Sequence, residues 1–188
     1  MKHSIKLLAI AFAFVLSGTF NSSKAQIFNK GDIDLNLQVG FGTAWYYGSY
    51  YKTSLPFISI AGDYALRDDW GPGVFGVGAI VGINTLKYEY YWGVAYDEYK
   101  NTNISIAPRA TYHYQFVDKL DTYAGVATGI KIRTYSGDYV GSSVSNDVDF
   151  IITAFAGVKY YFTDNFAVMS ELYVYDLATF NIGVSLKL

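Results

Sequence analysis

Apolar and polar residues alternate in eight segments of this chain, a pattern typical of β-strands with one face in an apolar environment. The segments cover residues 33–41, 58–66, 75–83, 104–115, 124–133, 149–160, 166–174 and 180–188. The last segment shows the pattern clearly, because Phe180, Ile182 and Val184 alternate with Asn181 and Gly183. Turn residues separate the segments, so the sequence predicts an all-β chain of eight antiparallel strands.

The predicted connections alternate in length along the chain. Short connections lie near residues 68–69, 117–119 and 163–165, and longer ones cover residues 46–54, 87–102 and 135–147. Short turns at one end and long loops at the other, with an even number of strands, are typical of barrels of the bacterial outer membrane. We therefore predict a transmembrane up-and-down β-barrel in which the first strand pairs with the last.

The N-terminus resembles an export signal. Lys2, His3 and Lys6 precede an uncharged stretch over residues 7–16, and a small-x-small cleavage site ends at Ala25. This stretch is too short for a transmembrane helix, which needs roughly 20 apolar residues. We predict a signal peptide over residues 1–25 and one barrel domain over residues 26–188.

Composition limits the classes of ligand. The chain is 52% hydrophobic and 16% charged, with 19 Tyr and 13 Phe. Without Lys2, Lys6 and Lys24 it has 11 basic and 16 acidic residues, and no basic patch indicates a nucleic-acid partner. Cys is absent and only one His lies beyond residue 25, so we expect neither a Cys/His metal site nor a cofactor.

The polar face of the strands decides between two kinds of barrel. A soluble lipocalin-like barrel turns its apolar face inward, whereas a membrane barrel turns it outward. Here the polar face carries many small residues and charges that nearly cancel, and Arg109 and Glu171 fall in mid-strand. An Arg facing lipid would cost about 2–4 kcal/mol, so the polar face is predicted to line the lumen. The predicted lumen charge network comprises Asp34, Asp63, Arg109, Lys131, Arg133, Asp149, Lys159 and Glu171.

Three segments resemble a known superfamily. They are residues 157–166 with the sequence GVKYYFTDNF, Glu171 in the next strand, and residues 183–188 at the C-terminus. With them, the chain resembles the eight-stranded outer-membrane barrels of the OmpA-barrel, OmpX and opacity type, often called the porin family. The resemblance implies the outer membrane of a Gram-negative bacterium, with its lipid and lipopolysaccharide and its assembly machinery as partners.

Aromatic residues concentrate in the predicted long loops. The interaction candidates are Tyr50, Tyr51, Tyr90, Tyr91, Trp92 and Tyr96. Exposed tyrosines bind proteins or glycans through rigid, amphipathic contacts, which would give the loops an unknown extracellular ligand. The interpretation that we prefer is that the strands continue beyond the membrane and these aromatics pack on one another and at the interface.

Three functions are compatible with this reading. The first is a surface-exposed structural or adhesion-like barrel, and the second is a small-solute channel, although eight strands leave an interior just wide enough for side chains. The third is a lipid A-modifying enzyme, which needs a His beside a Ser and an acid. His113 lacks a suitable neighbouring Ser and falls on the lumen face at the short-turn end. We therefore predict a protein that is not an enzyme.

Overall fold

Eight antiparallel strands form a closed barrel in the computed structural model, which describes residues 27–43, 51–92, 95–137 and 146–188. The strands are β1 (Ile33–Thr43), β2 (Tyr51–Arg67), β3 (Val74–Trp92), β4 (Ala95–Val117), β5 (Leu120–Gly137), β6 (Asn146–Tyr161), β7 (Phe166–Tyr173) and β8 (Ala178–Lys187). The predicted fold is therefore confirmed. The predicted signal peptide lies outside the described residues, and no helix among those residues is long and apolar enough to cross a membrane.

The first and last strands close the barrel, as predicted. β1 pairs with β8 from Asp34 opposite Lys187 to Thr43 opposite Ala178. Beyond this ladder, the Leu188 N–H donates a 2.8 Å hydrogen bond to the Ile33 carbonyl. Closure leaves neither β1 nor β8 with an unpaired edge along this stretch, which an apolar environment requires.

The lumen holds the polar face of the strands. Along β6 the side chains alternate between exposed and buried from Phe150 to Tyr161. Outward-facing Ile60, Phe150 and Ile152 are each more than 60% exposed, whereas Asp63, Arg109 and Glu171 are buried. Lumen-facing charge with outward-facing apolar side chains is the arrangement of a membrane barrel.

Apolar side chains also fill part of the lumen. Ile151 and Phe155, which break the polar row of the sixth predicted strand, are buried among lumen-facing residues. The same cluster includes Phe57, Ala61, Ile80, Ala107, Tyr123, Ala127, Met169, Tyr173, Leu177 and Ala178. Glycines make room for the rings: a Cβ on Gly157 would lie 2.4 Å from Cζ of Tyr123. The interior is therefore packed in the manner of a protein core.

An aromatic girdle surrounds the short-turn end of the outer face. Its exposed members are Tyr64, Tyr112, Tyr160, Phe162 and Phe166. Aromatic side chains of this kind mark the boundary between hydrocarbon and headgroups. The strands extend from this girdle to the opposite end, which we call the hairpin end because the β3–β4 hairpin reaches furthest there.

The N-terminal segment closes the short-turn end of the lumen. Phe28 is buried with Ala65 and Val74, although it precedes β1. The Ile27 N–H donates a 2.7 Å hydrogen bond to Gln115 Oε1, and the Ile27 carbonyl accepts a 2.8 Å bond from Lys187 Nζ. Residues 27–32 are thus part of the packed barrel, although the sequence pattern places its first strand at Ile33.

Candidate functional site: the lumen and the projecting strands

The centre of the lumen holds a buried cluster of three charges. Arg109 on β4 donates through Nε to Asp63 Oδ1 at 2.6 Å and through Nη2 to Asp63 Oδ2. Its Nη1 donates to Glu171 Oε1 on β7 at 3.1 Å. All three side chains are fully buried. One guanidinium therefore ties β4 to strands on two sides of the barrel, with fork geometry towards Asp63.

Neutral hydrogen-bond donors satisfy the oxygens of Glu171, the second carboxylate of this cluster. Glu171 accepts hydrogen bonds from the hydroxyls of Tyr123 and Tyr173, each at 2.7 Å, and from Gln38 Nε2 at 2.9 Å. Asn36 Nδ2 donates to Asp63 at 3.1 Å. A buried carboxylate is tolerated when several donors satisfy its oxygens, so these residues stabilise the cluster together with the Arg.

A second group of charges lies towards the short-turn end. Lys159 Nζ contacts Asp34 Oδ2 at 2.6 Å, and the Tyr161 hydroxyl donates to the same oxygen at 3.0 Å. Lys159 Nζ also lies 5.1 Å from the ring centroid of Tyr123 and 5.8 Å from that of Phe28. Ion pairing and cation–π contacts together hold this buried ammonium.

His113 belongs to the same end of the lumen and is held on both ring nitrogens. Nδ1 lies 2.7 Å from Asp121 Oδ2, and Nε2 lies 3.1 Å from Thr111 Oγ1. The order hydroxyl, imidazole, carboxylate resembles a catalytic triad, but all three side chains are buried. Phe28 and Tyr123 cover the imidazole, with ring centroids at 4.3 and 4.8 Å. This arrangement leaves no access for a substrate, so it supports a structural histidine.

A third group lies at the hairpin end and is partly exposed. Arg133 Nη2 contacts Asp149 Oδ2 at 2.6 Å. Lys131 Nζ donates to the Asp176 carbonyl at 2.5 Å and lies 3.9 Å from its carboxylate. These charges belong to the mouth of the lumen, where solvent reduces the free energy that each pair contributes.

Apolar residues separate the third group from the central cluster. On β6 the lumen-facing residues between Gly157, which pairs with Glu171, and Asp149 include Phe155 and Ile151. The residue opposite Arg109 on β5 is Ala127, which lies four residues before Lys131 on the same strand. The eight predicted network residues therefore form three groups, and the residues that the structure describes place no charged contact between Arg109 or Glu171 and Lys131 or Asp149.

Sequence reasoning missed several members of these groups. Tyr123, Tyr161 and Tyr173 act as hydroxyl donors in the lumen, and Asp121 and Asp176 complete the pairs at the two ends. A signal was present for Tyr173, because it shares the strand parity of Glu171 and so faces the lumen with it. Asp176 follows β7 and gave no such signal.

Residues 87–92 and 95–102 form strand and not the predicted long loop, as the preferred interpretation of strands that continue beyond the membrane expects. β3 and β4 continue through this segment, and their backbone pairing runs to Trp92 opposite Ala95. Cross-strand hydrogen bonding outweighs the local preference of the turn-forming and charged residues for a loop, because each strand already has its partner in register. The other two predicted loops are also shorter, since β2 starts at Tyr51 and β5 and β6 pair up to Thr134 opposite Asn146.

The aromatic interaction candidates therefore lie mainly on strands. Tyr51 pairs with Tyr88, and Tyr91 pairs with Tyr96. Tyr90 and Trp92 belong to β3. The side chains of these residues, and Tyr50 altogether, lie outside the described residues.

Within the described residues, five strands project beyond the rest of the barrel at the hairpin end. β3 and β4 have 19 and 23 residues, whereas β7 and β8 have 8 and 10. Roughly 9–11 residues of a tilted strand cross a bilayer, so the excess length lies beyond it. The outer parts of β2 to β6 form one continuous sheet, which we call the projecting sheet.

Both edges of the projecting sheet lack a neighbouring strand among the described residues. β1–β2 pairing ends at Gly40 opposite Phe57, although β2 starts at Tyr51. β6–β7 pairing ends at Phe155 opposite Tyr173, although β6 starts at Asn146. Asp176 covers the lowest part of the β6 edge, where its Oδ2 accepts a 3.2 Å bond from the Ile152 N–H.

Comparison with known proteins defines the fold class. No protein-family model and no curated protein matches the sequence. Among solved structures, the outer membrane protein OprG from Pseudomonas aeruginosa matches with a TM-score of 0.54 at 11% identity, over 85% of this chain and 97% of that chain. The N-terminal β-barrel domain of Pseudomonas aeruginosa OprF matches with a TM-score of 0.49 at 18% identity, over 85% and 98% of the two chains. The chain has the fold of the eight-stranded outer-membrane β-barrels, as the sequence predicts.

Proposed function

We propose that this protein is an outer-membrane barrel that holds the projecting sheet at the cell surface, where the sheet binds other macromolecules. The observation that carries the proposal is the sheet formed by β2 to β6, whose edges have no neighbouring strand among the described residues. A barrel with only a structural role needs strands long enough to cross the membrane, whereas β3 and β4 are about twice that length.

The β6 edge has the chemistry for adding a strand. The Ile152 N–H and the Ala154 carbonyl both bond towards the β7 side. Because backbone direction alternates along a strand, the amides and carbonyls of Phe150 and Val148 point the same way. The side chains of Val148 and Phe150 are 65% and 72% exposed. Backbone groups beside exposed apolar side chains favour an extended peptide as the bound segment.

Shortening the hairpin tests the proposal. Replacing residues 88–99 by a two-residue turn should leave the barrel folded, since β3 and β4 remain paired from Val74 opposite His113 to Lys87 opposite Lys100. The shortened protein should lose binding to arrays of immobilised proteins and glycans on which the intact barrel gives signals. Folding is checked by heat-modifiable migration in gels.

A matched control carries Asp68→Asn in the turn at the opposite end of the barrel. This variant should bind the arrays like the intact protein. Unchanged array binding by the shortened barrel, or an absence of any signal from the intact barrel, would contradict the proposal.

The packed lumen favours a role as membrane anchor for the projecting sheet over a role as a small-solute channel. The Arg109 cluster spans the interior, and Phe57, Ile80, Ile151 and Phe155 pack in the same part of the lumen. An ion on this route has to displace a buried ion pair and pass an apolar layer, each of which costs free energy.

Planar bilayers test the channel alternative. The purified barrel should give no stable, large single-channel openings, because the lumen is filled by side chains. A matched variant, Arg133→Gln at the partly exposed mouth, should behave in the same way. Regular openings that change in size with Arg133→Gln would restore the channel as the better proposal.

The enzyme alternative has the least support. His113 is covered by Phe28 and Tyr123 and lies at the short-turn end, far along β4 from the hairpin that reaches the cell surface. Lipid A modification requires an accessible nucleophile beside its base. The proposed function therefore involves no catalysis.

A further inference from the structure

The outer face of the β3–β4 pair changes from apolar to cationic over a few residues. Ile83 pairs with Ile104, Thr85 with Thr102, and Lys87 with Lys100. The two Thr hydroxyls lie 3.1 Å apart. Both isoleucines are exposed on the outer face, and residues of equal parity on a strand share that face. Apolar, hydroxyl and charged side chains thus follow one another in the order in which hydrocarbon, interface and headgroups follow one another at a membrane surface.

The length of the strand places this ladder at the outer membrane surface. Tyr112 in the aromatic girdle and Thr102 are ten residues apart on β4. Roughly 9–11 residues of a tilted strand cross the hydrocarbon, so Thr102 lies near its outer limit. Lys87 and Lys100 are one step further out, at the depth of lipid headgroups.

Lys87 and Lys100 lie directly opposite one another on adjacent strands. Like charges directly opposite one another are unfavourable in a sheet, and an anion between them removes the repulsion. Lys87 and Lys100 also have partners within the protein, but an ammonium group has three donors and is able to share them.

We infer that Lys87 and Lys100 form a binding site for the phosphate groups of a phosphorylated glycolipid, the lipopolysaccharide of the outer leaflet. The inference rests on the proposed function, because it requires the β3–β4 hairpin to face the cell exterior. It makes the lipid a specific ligand of one side of the barrel. The projecting sheet above it is thereby fixed in depth and rotation relative to the membrane surface.

Lipid titration tests this site. The full mature barrel is folded into phosphatidylcholine vesicles that contain increasing fractions of bis-phosphorylated lipid A, and its thermal unfolding midpoint is measured. A ligand that binds the folded state raises the midpoint as its concentration rises. For the Lys87→Gln/Lys100→Gln variant, the half-maximal lipid A fraction should increase about tenfold or more, since each lysine near an anionic surface contributes about a fivefold factor.

Matched variants and lipids separate the phosphate site from general charge effects. Lys87→Arg/Lys100→Arg should keep the response, and Lys119→Gln, at the short-turn end, should leave it unchanged. Dephosphorylated lipid A and free inorganic phosphate should each fail to raise the midpoint of the unaltered barrel.

Two results would overturn the inference. One is an equal response of the unaltered barrel to phosphorylated and dephosphorylated lipid A, which needs no variant to fold. The other is an unchanged response of the double Gln variant. If the lysines only neutralise the next pair outward, Glu89 and Glu98, the Gln variant will unfold earlier in pure phosphatidylcholine and keep the full lipid A response. Failure of the barrel to insert at all would count against the proposed function instead.

Discussion

Replacing Arg109 by Met is expected to destabilise the folded barrel by about 3–5 kcal/mol. The substitution keeps an unbranched, flexible stem and removes the guanidinium with its charge, so Asp63 and Glu171 remain buried without their cation. Removing one partner of a buried ion pair costs this much because the remaining charge keeps its desolvation penalty. Urea unfolding in lipid vesicles, followed by heat-modifiable migration, measures the change.

Two variants make this prediction specific. Asp63→Asn/Arg109→Met/Glu171→Gln should recover most of the lost stability, because neutral residues carry no unpaired charge. The hydrogen bond from Arg67 holds the pKa of Asp69 below its usual value, but both side chains are solvent-exposed. Arg67→Met should therefore leave the unfolding midpoint unchanged. If the triple variant is no more stable than Arg109→Met, the loss arises from packing and not from charge.

Phe28→Ala is expected to cost about 3–5 kcal/mol, an effect usually found only inside a core. Phe28 is 2% exposed and packs on His113, so its removal leaves a cavity beneath the N-terminal segment. The same urea assay measures the loss. Phe28→Leu should retain most of the stability, because a Leu refills much of that space.

An exposed aromatic residue serves as the control for Phe28. Phe162→Ala, at the same end of the barrel, removes a ring that is 58% exposed and should cost clearly less than Phe28→Ala. Equal unfolding midpoints for Phe28→Ala and the unaltered protein would show that residues 27–32 do not dock in the lumen.

Much of the fold was predictable because apolar and polar residues alternate with a period of two, which shows the face of each strand that meets lipid. Arg109 and Glu171 identified the lumen face, since a charge facing hydrocarbon is too costly. The same rule located Asp34, Asp63 and Lys159 inside the barrel. What the rule cannot provide is height along the barrel axis, so one predicted network proved to be three separate groups.

The remaining differences arise from contacts that connect distant parts of the chain. Phe28 precedes the first alternating segment, and its burial depends on His113 and on the strand ends around it. The β3–β4 hairpin contains charged and polar residues that resemble a loop, but pairing with a partner in register makes it strand. Local pattern predicts the strands that meet lipid better than the parts beyond it, because lipid on one face and the lumen on the other impose the alternation there.

Closure of β1 on β8 has a kinetic consequence. Asp34 pairs with Lys187, so the final seam joins residues from nearly opposite ends of the sequence. Contacts of such separation form slowly, because the entropy of closing a long loop is lost before the contacts compensate for it. Until then the apolar strands are exposed to aggregation. Since the seam contacts form after this entropy is lost, the unfolding rate should respond to substitutions along the β1–β8 seam more than the folding rate does.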